Sequence, residues 1–82
     1  MFDVEWQANV TDDLAAICVD HRDRWADIDA AESDISYKLR RNPLHFSQPV
    51  SEGLRRIISL PLAAYFSITG NQVSVEGVGW ID

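Results

Sequence analysis

LRRIISLPLAAYFSITGNQVSVEGVGW, residues 54–80, decides the fold: it reads as three consecutive antiparallel strands, and the turn between the last two sets their register. Gly70-Asn71 lies between runs rich in β-branched and aromatic residues, a hairpin signal in which Gly takes positive φ without a Cβ clash. A two-residue loop there pairs Thr69 with Gln72. Counting back sets Ile68 opposite Val73, Phe66 opposite Val75, Ala64 opposite Gly77 and Leu62 opposite Gly79. Opposed residues of an antiparallel pair share a face, so one face is aliphatic and must meet a core. The other face then carries Ala63, Tyr65, Ser67, Ser74, Glu76, Val78 and Trp80, too apolar for an ordinary solvent face. Gly77 leaves room for a bulge, which would swap the facing of Val78 and Trp80.

Outward from the hairpin, Phe2, Val4 and Trp6 alternate with Asp3 and Glu5, the period of a half-buried strand. From Ala8 to about Asp20 the period becomes helical: Val10, Leu14, Ile17 and Cys18 form a stripe, Asn9 or Thr11 can cap it, and Asp12 and Asp13 suit the positive end of the dipole. Trp25, Ile28, Ala31, Ile35 and Leu39 make a second stripe, with Asp20 to Arg24 and Asp34 to Lys38 spaced for ion pairs on the outer surface. Lys38, Arg40 and Arg41 complement the C-terminal end of that helix, and Asn42-Pro43 stops it. The expected fold is α+β, a two-layer β-α-α-β-β-β unit with both helices packed on one face of a small, mainly antiparallel four-stranded sheet. One domain, residues 1–82, is expected, and the second sheet face has nothing left to cover it. In the connection NPLHFSQPVSEG, residues 42–53, Leu44, Phe46 and Val50 are expected to fold back over one end of the core between Pro43 and Pro49, with His45 and Phe46 as partner contacts in the competing reading.

A chain of 82 residues has room for one marginal core, and Cys18, its only cysteine, cannot form an internal disulfide. A partner or a homodimer is therefore expected to cover the open face. No signal-peptide pattern or membrane-length apolar run occurs, so a cytoplasmic location without membrane contact is expected. The net charge is -6, with eight acids between Asp12 and Asp34. From Ile35 to Val75 the balance reverses, with Lys38, Arg40, Arg41, Arg55 and Arg56 against Glu52, which predicts a local basic region. Phosphate contacts from Lys and Arg supply most nucleic-acid affinity, so the overall charge argues against nucleic acid or a ribosome as partner. Arg55 and Arg56 are adjacent on a strand and point to opposite faces, so at most one serves the open face, where an acidic peptide or carboxylate suits it.

The segments VEWQANVTDDLAAI (Val4 to Ile17), LRRNPL (Leu39 to Leu44), GLRRIISLPLAAYFSI (Gly53 to Ile68) and VSVEGVGW (Val73 to Trp80) resemble, in pattern and spacing, the RelE/ParE superfamily of bacterial toxins, also described as plasmid-stabilisation-like. The resemblance implies a β-α-α-β-β-β toxin, either a ribosome-dependent mRNA endonuclease or a gyrase inhibitor, whose open sheet face an antitoxin blocks. The nuclease branch would need basic and phenolic groups on the sheet to bind a phosphate and move protons. At those positions this chain carries Ile57, Ser59 and Ala63, and near its C-terminus Ile81 and Asp82, leaving Arg55, Arg56, Tyr65 and Glu76. A toxin component with weak or absent ribonuclease activity is the function implied. The alternative is a non-catalytic interaction module on the same fold. The partner-binding candidates for either are Arg55, Arg56, Tyr65, Glu76, Val78 and Trp80.

No cofactor is called for. Cys18 and His21 stand three apart on one helix and His45 is the only other imidazole, too few soft ligands for structural zinc. Cys18 is read as core packing and His21 as a surface group at the helix end, while Asp27, Asp29, Glu32 and Asp34 spread around their helix as its solvated side.

Overall fold

The computed structural model describes residues 1–81, leaving Asp82 and the expectation placed on it outside the described residues. The elements are β1 (Asp3–Trp6), α1 (Ala8–Asp20), a single 3-10 turn (Arg22–Arg24), α2 (Trp25–Arg41), β2 (Gln48–Ser51), β3 (Leu54–Ser59), β4 (Leu62–Thr69) and β5 (Gln72–Trp80). The α+β class and both helices agree with the sequence reading. The sheet differs: it is five-stranded and mixed, in the order β1-β5-β4-β3-β2, with β1 parallel to β5 and the other pairs antiparallel.

The added strand is β2. Pro49 lacks an N–H and marks the run as edge material, and all of β2 is exposed. The Glu52-Gly53 connection, with Gly53 at φ +77°, nevertheless returns the chain into β3, pairing Gln48 with Arg56 and Pro49 with Arg55. Leu44, Phe46 and Val50 consequently do not fold over the core. They are exposed, and of this segment Pro43 is the residue that is buried.

The core lies between the helices and one face of the sheet. Val10 of α1 and Ile28, Ala31, Ile35 and Leu39 of α2 meet Ile57, Leu62, Ala64, Phe66, Val73 and Val75, while Leu14, Ile17, Cys18, Val4 and Trp6 pack around that cluster. Burying aliphatic and aromatic groups of this size contributes about 1.5–3 kcal/mol each. Trp25 departs from its expected stripe: it begins α2, stays exposed, and its indole N–H donates to the carbonyl of Cys18 at 2.7 Å. At α1 the helix starts one residue before Asn9 and the cap position is Gln7, whose side chain donates instead to Ser74 Oγ at 2.6 Å; the Thr11 hydroxyl bonds back to the Ala8 carbonyl.

Polar ties fix α2 over the sheet. Trp6 Nε1 donates to the buried Ser36 Oγ at 3.2 Å, and Ser59 Oγ donates to Asp34 Oδ2 at 2.8 Å. Lys38 Nζ lies 2.9 Å from the same carboxylate oxygen, one of the two ion pairs the i,i+4 spacing predicts. Arg24 takes Asp27 at 2.7 Å. These hydrogen bonds to Asp34, first from Lys38 and then from Ser59, hold its carboxyl below the ordinary 3.8. No helix among the described residues is long and apolar enough to cross a membrane.

Candidate protein-binding face

The turn half of the β4–β5 hairpin has the expected register, Thr69 with Gln72, Ile68 with Val73 and Phe66 with Val75. Gly70 has φ +60° and Asn71 has no positive φ, the pattern of a type II′ turn whose twist matches its strands. Beyond Val75 the register slips: Tyr65 opposes Gly77, Ala64 opposes Val78 and Leu62 opposes Trp80, so Glu76 is the extra residue of a β-bulge. The slip turns Val78 and Trp80 onto the helix-covered face, where both pack against the core. Their placement on the open face is therefore corrected. Trp80 stacks flat on His21, ring centroids 3.6 Å apart and planes 5° apart, with the Arg24 guanidinium 5.3 Å from its ring centre. His21 is thus a packed ring rather than a surface imidazole.

Arg55 also leaves the open face. It opposes Phe66, and its guanidinium closes the 44–47 loop, donating to Ser47 Oγ at 2.8 Å and to the Ser47 carbonyl at 3.1 Å. Arg56 opposes Tyr65 and shares the open face with it. Within the predicted basic region, Lys38 is held by Asp34 and lies 5.4 Å over the Phe46 ring, Arg41 lies 4.8 Å over Tyr37, and Arg55 and Arg56 face opposite ways.

The open face is what remains once these residues are removed. Both helices lie on the other side, so no described element covers it. At its centre Tyr65 stands beside Gly77, where a Cβ would sit 3.7 Å from the Tyr65 ring, so the ring covers the strand that glycine leaves bare. Toward β1 the face turns polar and acidic: the Ser67 hydroxyl donates to Glu76, and Asp3 and Glu5 pair in register with Gln72 and Ser74. Toward β2 it turns apolar and cationic. Ile58, opposite Ala63, is 49% exposed, and a depression of about 160 Å3 lies between Phe46, Gln48, Arg56 and Ile58. The Arg56 side chain makes no hydrogen bond or ion pair with any described residue, leaving a planar fork of donors for a carboxylate.

Of the six sequence candidates the face thus gathers Arg56, Tyr65 and Glu76 and excludes Arg55, Val78 and Trp80. Ile58, Phe46 and Gln48 are additions. Ile58 was within reach of sequence reasoning, since a two-residue turn at Leu60-Pro61 pairs Ser59 with Leu62 and places Ile58 beside Ala63. Among the described residues no group of His, Cys, Asp and Glu is arranged to hold a metal ion. Compared with protein-family models, curated proteins and solved structures, the chain has no match in any of the three.

Proposed function

We propose that this chain acts by binding another protein through the open face of its sheet, centred on Tyr65, Arg56 and Glu76, and that it does no phosphoryl-transfer chemistry there. The observation that carries this is Arg56: a cation without a described partner, beside a tyrosine and an exposed isoleucine, on a sheet face no described element covers. A graded face, acidic toward β1 and apolar-cationic toward β2, favours one orientation of a partner over its reverse. Ile57 and Ser59 support the non-catalytic reading. Ile57 is 1% exposed and Ser59 is bonded to Asp34, so neither reaches a substrate on the open face.

The second reading is a RelE/ParE-like toxin component with an antitoxin on this face. The order of its elements, one strand, two helices and then antiparallel strands with both helices on one side, favours it. Expression of the chain alone in a bacterial host separates the readings: growth arrest relieved by the product of a neighbouring small open reading frame supports the toxin. Unaffected growth with intact mRNA supports the plain binding module. For either, the face is tested by measuring complex formation with that product. Tyr65→Ala and Arg56→Glu are expected to weaken binding at least about tenfold with stability changed by less than about 1 kcal/mol. Unaltered affinity in both variants sinks the proposal.

A further inference from the structure

On the side of the molecule away from the open sheet face, a groove of about 450 Å3 lies between the helices, lined chiefly by Leu14 and Cys18 of α1 and Trp25, Ile28, Asp29 and Glu32 of α2. Trp25 is 57% exposed, yet its indole N–H is anchored on the Cys18 carbonyl, so a large aromatic is fixed at the groove with little rotamer freedom left to lose. The other residue type at the groove is acidic. Asp29 and Glu32 have no ion pair with a described residue, and the stretch from Asp12 to Asp34 sets eight acids against Arg22 and Arg24, the latter pairing with Asp27.

These features select an occupant. Both walls are α-helices whose backbone groups are already bonded within the helix, so an extended peptide finds no edge to pair with and must satisfy its own backbone, as a helix does. A second copy of this chain would set the same acidic helices against one another, and an anionic lipid surface meets the same repulsion. We propose that the α1–α2 groove docks a cationic amphipathic helix of another protein, its apolar residues against Trp25 and Leu14 and its Lys or Arg side chains beside Asp29 and Glu32. This surface is independent of the binding face proposed above, and either can fail without the other.

The test titrates the full chain with a model helical peptide of Leu and Lys, with Leu at helical spacing, and with its counterpart carrying Glu for Lys. Chemical shifts of backbone amides and indole N–H groups locate binding, and the alkylation rate of Cys18, the only cysteine, reports cover of the groove. The Leu/Lys peptide is expected to shift the Trp25 indole resonance and slow Cys18 alkylation, and the Leu/Glu peptide to do neither. Asp29→Asn with Glu32→Gln is expected to weaken binding about tenfold, roughly the worth of two exposed ion pairs. Asp12→Asn with Asp13→Asn removes the same charge outside the groove lining and is expected to weaken it less than about twofold. Equal loss in the two double variants would reduce the binding to the general field of the molecule. Shifts centred on Tyr65 and Arg56, equal affinity for both peptides, or binding of neither also overturns the proposal.

Discussion

The two faces of one sheet are built to different ends. On the covered face Leu62, Ala64, Phe66, Val73 and Val75 are completely buried under the helices, and exchanging any of them for a smaller group leaves a cavity that close-packed neighbours cannot fill. On the open face Tyr65, Ser67 and Ser74 are half-buried, Glu76 is exposed, and their bonds run sideways to neighbouring strands rather than down into a core. The same strands therefore carry stability on one side and adjustable chemistry on the other. That division frees the open face to serve a partner.

The largest expected effect lies on the covered side. Phe66→Ala removes a fully buried ring at the centre of β4 and is expected to cost about 3–5 kcal/mol in urea unfolding, enough to unfold much of so small a domain. A loss below about 1 kcal/mol would mean that the core is not where the helices meet β4. Trp80→Ala comes next. Because the bulge sets Trp80 against the core and the His21 ring, the expected cost is about 2 kcal/mol, lower than for Phe66 because the ring is only half-buried. An unchanged urea midpoint would return Trp80 to the solvent side and restore the unslipped register.

That register shows where the sequence speaks and where it falls silent. Near Gly70 it is legible, since one glycine with positive φ fixes the turn and the turn fixes its neighbours: Thr69, Ile68 and Phe66 have the partners the sequence predicts. Past Val75 local signals run out. Gly77 marks where a bulge is allowed, but whether it forms depends on tertiary packing, here the docking of Val78 and Trp80 under α1 and His21, which no spacing rule records. The helical stripes were legible because Val10, Ile28, Ile35 and Leu39 repeat at helical spacing, whereas Trp25 sits on the stripe and yet lies past the end of the contact surface. β2 was missed for the opposite reason. Its QPVS carries no buried side and contains a proline, so the strand is specified by pairing with β3 rather than by its own pattern. Of the site, Tyr65 and Glu76 were readable from the hairpin, and strand alternation allowed only one of Arg55 and Arg56 there without choosing between them; Val78 and Trp80 were lost with the register.

Gly77→Ala sharpens the contrast from the open side. Gly77 has no positive φ, and an added methyl would meet Tyr65 at 3.7 and 3.8 Å, ordinary contact distances. The expected change in stability is therefore small, within about 1 kcal/mol and in the stabilising direction because the unfolded chain loses freedom. Gly70→Ala, at φ +60°, is the matched control and is expected to destabilise by about 1 kcal/mol. If the two behave alike, the bulge at Glu76 depends on a glycine conformation, and the open face is less tolerant than its exposure implies.

The smallest effect expected lies at the rim of the covered side, in the titration of Asp34. Its carboxyl titrates below 3.8 in the folded protein because Lys38 and Ser59 both donate to it, so its ionised form is favoured by folding. A depressed folded-state value gives stability that is fully present above 3.8 and is lost as the pH falls through the lower folded value. Asp34→Asn should remove that component. Its urea midpoint is expected to fall less steeply than the wild type's on acidification, and the two curves to converge at the acid end. With the side chain 38% exposed, solvent screening limits the difference at neutral pH to less than about 1 kcal/mol. Parallel curves through the acid range would show that the charge of Asp34 contributes nothing to holding α2, which its apolar stripe and the Trp6–Ser36 hydrogen bond then keep over the sheet.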